Sequence, residues 1–463
     1  MNSNLKHALH SITLLLFVAL SQIKPYKQFV GSELEPEYDQ YGQALMIPTT
    51  LIQCIVIISL PQTLFNFLGL ILFNAFLSDV EIKDQDGLPL KFVELPHFCF
   101  RVVTRGLFPE LVLANVRKNY LTCIQSGLSN FSIEVVTDKD FSLADMEDKV
   151  RKIVVPPTYR TSTGALFKAR ALQHALDPGV NILKEGDYII HLDEETLITK
   201  NVINGIINFV VEGKHAFGQG LITYSNQEVQ NWLTTLADSV RVADDMGKIR
   251  FQFSVFHKPL FGWKGSFVVT KYEAERDVSF DHGPDGSVAE DCYFSMVAFQ
   301  KGYTFDFIQG EMWEKSPFSI PDLIKQRKRW IQGIWLVVHS PKIPIKNKIL
   351  LTMSLYAWIS LPITTLTYIV NILFTLPTSA WHLSIGSFCF AVTFYMYIFG
   401  VLKSSDLKTT RLSMLFACLI GQIFILPMNV VIEIVAVIWG LFGPKHKFYI
   451  VEKDLKRHAV LDP

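Results

Sequence analysis

Three acidic strings and one basic, aromatic string in the middle of the chain have the side chains to act on a diphosphate. Asp138 follows the run SIEVVT, Asp193-Glu194-Glu195 follows DYIIHL, Glu290-Asp291 opens DCYFSMVAFQ, and Gln326-Arg327-Lys328-Arg329-Trp330 comes last. Alternate residues at the mouth of a strand can point the same way, so Asp193 and Glu195 can share a divalent cation, Mg²⁺ or Mn²⁺, through oxygen ligands. Such an ion would bridge two phosphate oxygens and neutralise charge on a diphosphate leaving group. Glu290-Asp291 has the chemistry of a general base. Each string also has a plainer reading. DEE can be a solvated loop capping the next helix, and Glu290-Asp291 can favour the macrodipole of a first helical turn. The tryptophan-bearing helix can lie on lipid headgroups through Lys325 and Lys328.

The elements that must position these residues alternate. HFCFRVVT precedes ELVLANVRKNYLTCIQ, SIEVVT precedes a charged stretch, KIVV precedes TGALFKARALQHAL, and DYIIHL precedes ITKNVINGIINFVV. Strand and helix in alternation predict an α/β domain with a parallel or mixed sheet covered on both faces. Ligands bind beyond the carboxyl ends of such strands, which puts Thr104, Asp138 and Asp193 at the mouth. Ser319-Ile320-Pro321-Asp322 predicts a capping box ahead of LIKQRKRWIQGIWLVV. On that helix Gln326, Arg329 and Trp330 share one face, and Ile331, Ile334, Trp335 and Val338 form an apolar stripe. No Walker A loop, GxGxxG, HExxH or sustained repeat occurs, so ATPase, dinucleotide and zinc-protease readings lack support.

The 463 residues are 49% hydrophobic and 19% charged, with 43 Lys+Arg balancing 43 Asp+Glu. No net charge points to nucleic acid, and the mean hydropathy of +0.27 leans toward a bilayer. The six cysteines form no CxxC pair, which argues for reduced thiols and against a zinc site or disulfide scaffold. Apolar runs predict membrane segments at about 7–23 and 46–77, then 349–376, 381–402 and 412–442. Pro61 is expected to kink or divide the second, and Pro427 allows a broken or re-entrant last segment. The organisation expected is therefore N-terminal membrane segments over 1–78, a catalytic domain over 79–318, an interfacial helix and basic linker over 319–348, membrane segments over 349–442, and a basic tail over 443–463. Glu33, Glu35, Glu37 and Asp39 lie between the first two segments, whereas Lys325, Arg327, Lys328, Arg329, Lys342, Lys346 and Lys348 approach the third. By the positive-inside rule the middle region faces the cytosol. The tail's side stays open, because its basic residues favour the inside while one last crossing places it outside. Glu433 within the last run is a candidate for function or for pairing with Gln422 or Asn429.

The ordered set of Asp138, Asp193-Glu194-Glu195, Glu290-Asp291 and Gln326-Arg327-Lys328-Arg329-Trp330 resembles the membrane-bound branch of the family 2 glycosyltransferases. Their signature is an Asp after the second strand, D-x-D, E-D and Q-x-x-R-W. The chain departs from it at Glu195, which keeps an oxygen ligand with longer reach, and at Ala289, where many members carry Thr. The resemblance implies a glycosyltransferase A-type, Rossmann-like mixed sheet in the cytosol, flanked by transmembrane helices. It implies an inverting transfer in which Asp291 takes the proton of the acceptor hydroxyl. Thr104, Asp138, Lys168, Asp193, Gln326 and Arg329 would contact the nucleotide-sugar donor, and Asp193 and Glu195 a divalent cation. Trp263, Gly265, Glu290 and Trp330 fall on the acceptor side, with a buried core tryptophan the alternative at Trp263.

More closely, DEET, AEDCYF, GWKGSF and QRKRWIQGIW resemble the egghead-type β-1,4-mannosyltransferases of invertebrate glycosphingolipid assembly. That resemblance implies GDP-mannose as donor, glucosylceramide as lipid acceptor, and a multi-pass protein of the Golgi or endoplasmic reticulum. Spacing alone identifies neither sugar. A processive polysaccharide synthase and a non-catalytic membrane scaffold or transporter stay as alternatives. Product length separates the first. Survival of function in Asp291→Asn would favour the second. A glycan on the sequon Asn130-Phe131-Ser132 would place the domain in the lumen.

Overall fold

The computed structural model describes residues 2–31, 50–76, 79–83, 95–143, 148–227, 229–374, 378–405 and 411–444. Over these residues the chain divides into two compact units. One comprises Met1–Leu77, Leu236–Phe251 and Ile349–Gly443, and the other Ser78–Thr235, Gln252–Lys348 and Pro444.

The second unit is built on a mixed sheet of seven strands, and the four apolar runs that the alternation predicts become the first four of them. They are β1 (Phe98–Thr104), β2 (Phe131–Thr137), β3 (Val150–Val154), β4 (Tyr188–Asp193), β5 (Phe217–Thr223), β6 (Val268–Lys271) and β7 (Phe305–Trp313). Their order is β3-β2-β1-β4-β6-β5-β7. β1 runs parallel to β2 and β4, whereas β6 is antiparallel to β4 and β5. The register pairs Thr104 with Thr137 and Val103 with Asp193, so three strand ends meet at one edge. Near-continuous burial along β1, β2 and β4 is what a sheet covered on both faces requires.

Local chemistry sets the helix starts. Thr199 accepts the Val202 N–H at 3.2 Å, so the helix Lys200–Glu212 begins after it. The run TGALFKARAL becomes helical only from Phe167, because Thr161 and Ser287 hydroxyls accept the Ala165 and Leu166 amides and hold that stretch as a turn. The Ser319 cap is present. Its hydroxyl accepts the Asp322 N–H at 3.3 Å and donates to the Asp322 carboxylate at 2.7 Å, a cap worth about 1 kcal/mol.

The first unit is helical. Four helical stretches are long and apolar enough to cross a membrane: Ser3–Phe29, Thr50–Leu72, Ala380–Ser404 and Leu412–Phe442. Ile345–Ile359 and Leu361–Leu373 form a further span if the pair counts as one, but it is bent by 50°. The break therefore falls here and not at Pro427, which lies inside the unbroken helix Leu412–Phe442. Pro362 explains the position, since proline disfavours helical backbone in the residue before it yet suits the first turn of a new helix. Pro61 likewise sits within the continuous helix Val56–Leu72. Glu433 accepts the Trp358 indole N–H at 2.9 Å, while Asn429 donates to Tyr397 and Gln422 to Ser239 and the Leu236 carbonyl. The expected pairing of Glu433 with Gln422 or Asn429 is thus replaced by bonds to other helices. Segment 236–251, polar in sequence, belongs to this unit. It contains a π-helical turn at Asp245–Ile249, and a Cβ on Gly69 would lie 2.1 Å from the Gly247 carbonyl, so only glycine permits that approach. The acidic residues at 33–39 and the tail from 445 lie outside the described residues.

Candidate active site

The carboxyl edge of β1, β2 and β4 collects most of the expected residues. Asp193 ends β4, and its carboxylate accepts the Lys168 ammonium at 2.6 Å. Lys168 also donates to the Gly265 carbonyl at 3.1 Å and lies 3.8 Å from the Glu290 carboxylate. Glu290 and Asp291 open the helix Glu290–Gln300. A Cβ on Gly265 would meet an Asp291 carboxylate oxygen at 3.1 Å and the Lys168 ammonium at 3.4 Å, which places Gly265 directly against both. Asp193, Lys168, Gly265, Glu290 and Asp291 therefore form one cluster drawn from four separate parts of the sequence.

Electrostatics follows from this crowding. Burial pushes the Glu290 carboxyl up to about 7, Asp291 beside it pushes the same way, and Lys168 and Arg329 oppose both. Burial also raises Asp291, against its bond to the Cys292 amide, the Lys168 and Arg329 charges, and with Asp193 adding to the rise. Burial alone would lower Lys168, but Asp193 and Glu290 outweigh it and hold the ammonium above its ordinary value. These interactions also put the Arg329 guanidinium within electrostatic reach of the carboxylate pair. The helix Ile320–His339 is seated by Gly333, where a Cβ would come within 2.6 Å of Ala289. A larger residue at 289 would push that helix away, which gives a packing reason for alanine there.

Other expected residues lie at the edge with different partners. Asp138 accepts Arg170 at 2.6 Å and has Arg105 at 4.0 Å. Thr104 donates to the Glu194 carboxylate at 2.5 Å. Trp263 is buried, stacks on Phe294 with ring centroids 5.6 Å apart, and donates its indole N–H to the Asp291 carbonyl at 2.8 Å. The core alternative thus describes its surroundings, and its link to the cluster runs through the Asp291 backbone. Gln326 accepts Arg327, whose guanidinium lies 4.4 Å from the Trp330 ring. Lys328 does not face headgroups, because it is fully buried with its ammonium 3.2 Å from the Pro444 carbonyl. Lys325 pairs with Asp322 at 3.0 Å.

Asp193 fits an ion that takes one or two carboxylates from the protein and its other oxygens from a diphosphate, and Glu195 follows two residues on in the same loop. Among the described residues no group of three or more His, Cys, Asp or Glu side chains is placed to hold a metal alone. Asp193 is a partly exposed carboxylate at a strand mouth, next to a lysine that also favours phosphate, and this donor set suits a cation shared with a substrate.

Several contributors escape sequence reading. Arg170, which pins Asp138, and Glu314, which accepts the Thr196 hydroxyl, carry no motif, and Thr196 and Ser266, whose hydroxyls face the Asp193 amide, lie within DEET and GWKGSF with nothing local to mark them as site residues. Asn115 and Asn119 on the helix Pro109–Gln125 donate to the Glu194 and Thr196 carbonyls, each at 2.9 Å. A signal existed for those two: asparagines four apart share a helix face, and both are buried.

Comparison with known proteins places this geometry. Residues 188–403, from the start of β4 onward, match the family model described as glycosyl transferase family group 2. The chain is 53% identical over 464 residues to β-1,4-mannosyltransferase egh of Drosophila melanogaster, covering 98% of this chain and 99% of that one. It is 51% identical over 468 residues to β-1,4-mannosyltransferase bre-3 of Caenorhabditis briggsae, covering 98% of this chain and 100% of that one. The bre-3 protein of Caenorhabditis elegans matches at the same 51% over 468 residues, with the same coverage.

Proposed function

Because the chain belongs to the family 2 glycosyltransferases and is a mannosyltransferase, we propose that it moves mannose from GDP-mannose to glucosylceramide, forming a β-1,4-mannosyl glycosphingolipid. The observation that carries the reading is the cluster of Lys168, Asp193, Glu290 and Asp291 at the strand ends. Burial raises both of its carboxyls, Glu290 to about 7, which favours their acting as bases. The names of the relatives support the sugar and the linkage.

In this mechanism Asp291 takes the acceptor hydroxyl proton on its carboxylate while that oxygen attacks the anomeric carbon from the face opposite the departing GDP. One displacement inverts an α-linked donor to a β-linked product. Gly265 leaves the space beside Asp291 that a side chain would fill. Trp263 fixes the Asp291 backbone through its indole N–H. Lys168 and Arg329 oppose the rise of the carboxylate pair and offer positive charge to the diphosphate. Asp138, with Arg170 behind it, and Thr104 would hold the nucleotide, Gln326 would contact the diphosphate beside Arg329, and Trp330 would offer its face to a sugar ring. A divalent cation held by Asp193 and Glu195 would supply Lewis-acid charge to the leaving diphosphate. No general acid is required, because the leaving group is a stabilised phosphate anion.

The apolar helices suit a lipid acceptor that stays in its bilayer, and the basic approach to residue 349 orients the domain toward cytosolic nucleotide sugar in a secretory-pathway membrane. The test is incubation of the purified full-length protein with glucosylceramide and a panel of nucleotide sugars, with and without chelator. Mannose transfer from GDP-mannose alone, lost on chelation, is expected. Transfer from another donor would overturn the donor assignment, and full activity without divalent ions the metal role.

A further inference from the structure

The loop that carries Asp193 is held by hydrogen bonds that join three separate parts of the chain. Thr196 lies three residues on, fully buried, and its amide donates to the Asp193 carbonyl at 3.0 Å, closing a turn. Its hydroxyl has a single proton, which goes to the Glu314 carboxylate at 2.7 Å. The lone pairs that remain face the Asp193 amide at 3.2 Å and the Ser266 hydroxyl at 3.0 Å. Ser266 itself lies 3.3 Å from the same amide. Glu314 follows β7 and is only 6% exposed. Burying a carboxylate there is costly, and accepting the Thr196 proton is what directs that hydroxyl's acceptor side toward Asp193. Leu197 pairs with Trp313 by reciprocal backbone bonds of 2.8 and 2.9 Å, so the loop moves with the end of β7.

We infer that Thr196, oriented by Glu314 and seconded by Ser266, is a positioning residue that sets the direction of the Asp193 carboxylate toward the cation and the diphosphate. Glu314 lies outside the strings that carry the family resemblance, Thr196 and Ser266 stand within DEET and GWKGSF with no role assigned to either, and none of the three touches the reacting atoms. The inference rests on the reading of Asp193 given above. Displacing a catalytic group by about 1 Å costs on the order of 10²-fold in rate, and losing a partner behind a metal ligand costs about 10- to 100-fold in metal affinity.

The experiment uses the full-length protein in detergent and measures Mn²⁺ affinity without nucleotide, GDP affinity in excess Mn²⁺, and kcat for mannose transfer. Thr196→Val, which keeps shape and removes the hydroxyl, is expected to weaken Mn²⁺ binding about tenfold and lower kcat about 10²-fold. Thr196→Ser is expected to restore both to within about threefold, which a merely space-filling role would not require. A folded Thr196→Val protein that binds Mn²⁺ and turns over like its parent overturns the inference, as does failure of serine to rescue. Should valine prevent folding, Ser266→Ala is expected to lower Mn²⁺ affinity about threefold, and parental affinity there overturns the inference. If the parent binds Mn²⁺ yet transfers no mannose, the functional reading falls, while the Mn²⁺ affinities still decide the role of Thr196.

Discussion

Two charged clusters lie two residues apart along β4, and they are built on opposite principles. His191 belongs to the inner one, where Arg101 pairs with Glu134 at 2.8 Å and with Glu275 at 3.3 Å, and His191 meets Glu275 at 2.6 Å. Thr270 donates to Glu275 as well, and Arg101, Glu134 and Glu275 are fully buried. Burial would raise Glu275, but His191, Arg101 and Thr270 outweigh it and hold the carboxyl below its ordinary value. Asp193 belongs to the outer cluster, where burial raises Glu290 and Asp291, neighbouring carboxylates add to the rise, and Lys168 and Arg329 only partly offset it. The inner network is satisfied by its own members and joins β1, β2, β4 and the helix Tyr272–Val278. The outer one is left with excess negative charge that a cation or a proton can meet. Charge that is balanced inside the fold serves stability, and charge left unbalanced at a strand mouth serves chemistry.

That contrast can be broken by substitution. Asp291→Asn is expected to lower kcat by roughly 10²-fold or more, with the melting temperature at pH 8 unchanged or raised, because a buried carboxyl that resists ionisation has been removed. A thermal shift assay beside a turnover assay reads both, and a stability loss matching the activity loss would move the outer cluster into the inner class. Lys168→Met is expected to lower kcat/KM by about 10- to 100-fold and to displace the acid limb of the pH profile upward, since Lys168 opposes the rise of Glu290 and Asp291.

For the unsubstituted enzyme, kcat/KM is expected to fall about tenfold per unit as pH drops below about 7, where Glu290 takes up its proton beside the raised Asp291. Stability has the opposite sign. Carboxyls raised by folding stabilise least when ionised, so their contribution is lost as pH rises from the ordinary carboxylate range through about 7. An activity profile flat from pH 5 to 8 would remove the outer cluster's special status. The smallest effect on turnover belongs to Arg101→Met. It is expected to cost about 3–5 kcal/mol of stability by stranding Glu134 and Glu275, yet to change kcat of the folded fraction less than threefold. Denaturant unfolding and active-site-normalised rates separate the two.

Much of this was legible beforehand. Strand-helix alternation foretold β1 to β4, and the residues after them met at one edge because parallel strands share a direction. The four strings of Asp138, Asp193, Glu290-Asp291 and Gln326-Trp330 were visible from composition at strand and helix ends. The partners of those strings were not. Arg170 behind Asp138, Glu314 behind Thr196, and Gly333 against Ala289 lie far from them in sequence, and nothing local distinguishes them from surface arginine, loop acid or an indifferent glycine. The break at Ser360 and the burial of Lys328 were hidden for a related reason. Hydropathy averages over a window, while a bend and a lysine's destination depend on single residues and on what is packed beside them.

Sequence by itself determined the kinds of chemistry available, the alternation that builds the sheet, and which stretches are apolar enough for a bilayer, because periodicity and transfer free energy are properties of short segments. Tertiary structure alone decided which carboxylates share a field, which are neutralised, and which hydroxyl aims at Asp193. Those outcomes depend on distances between segments, and a Coulomb interaction or a hydrogen bond has no value until the fold sets that distance.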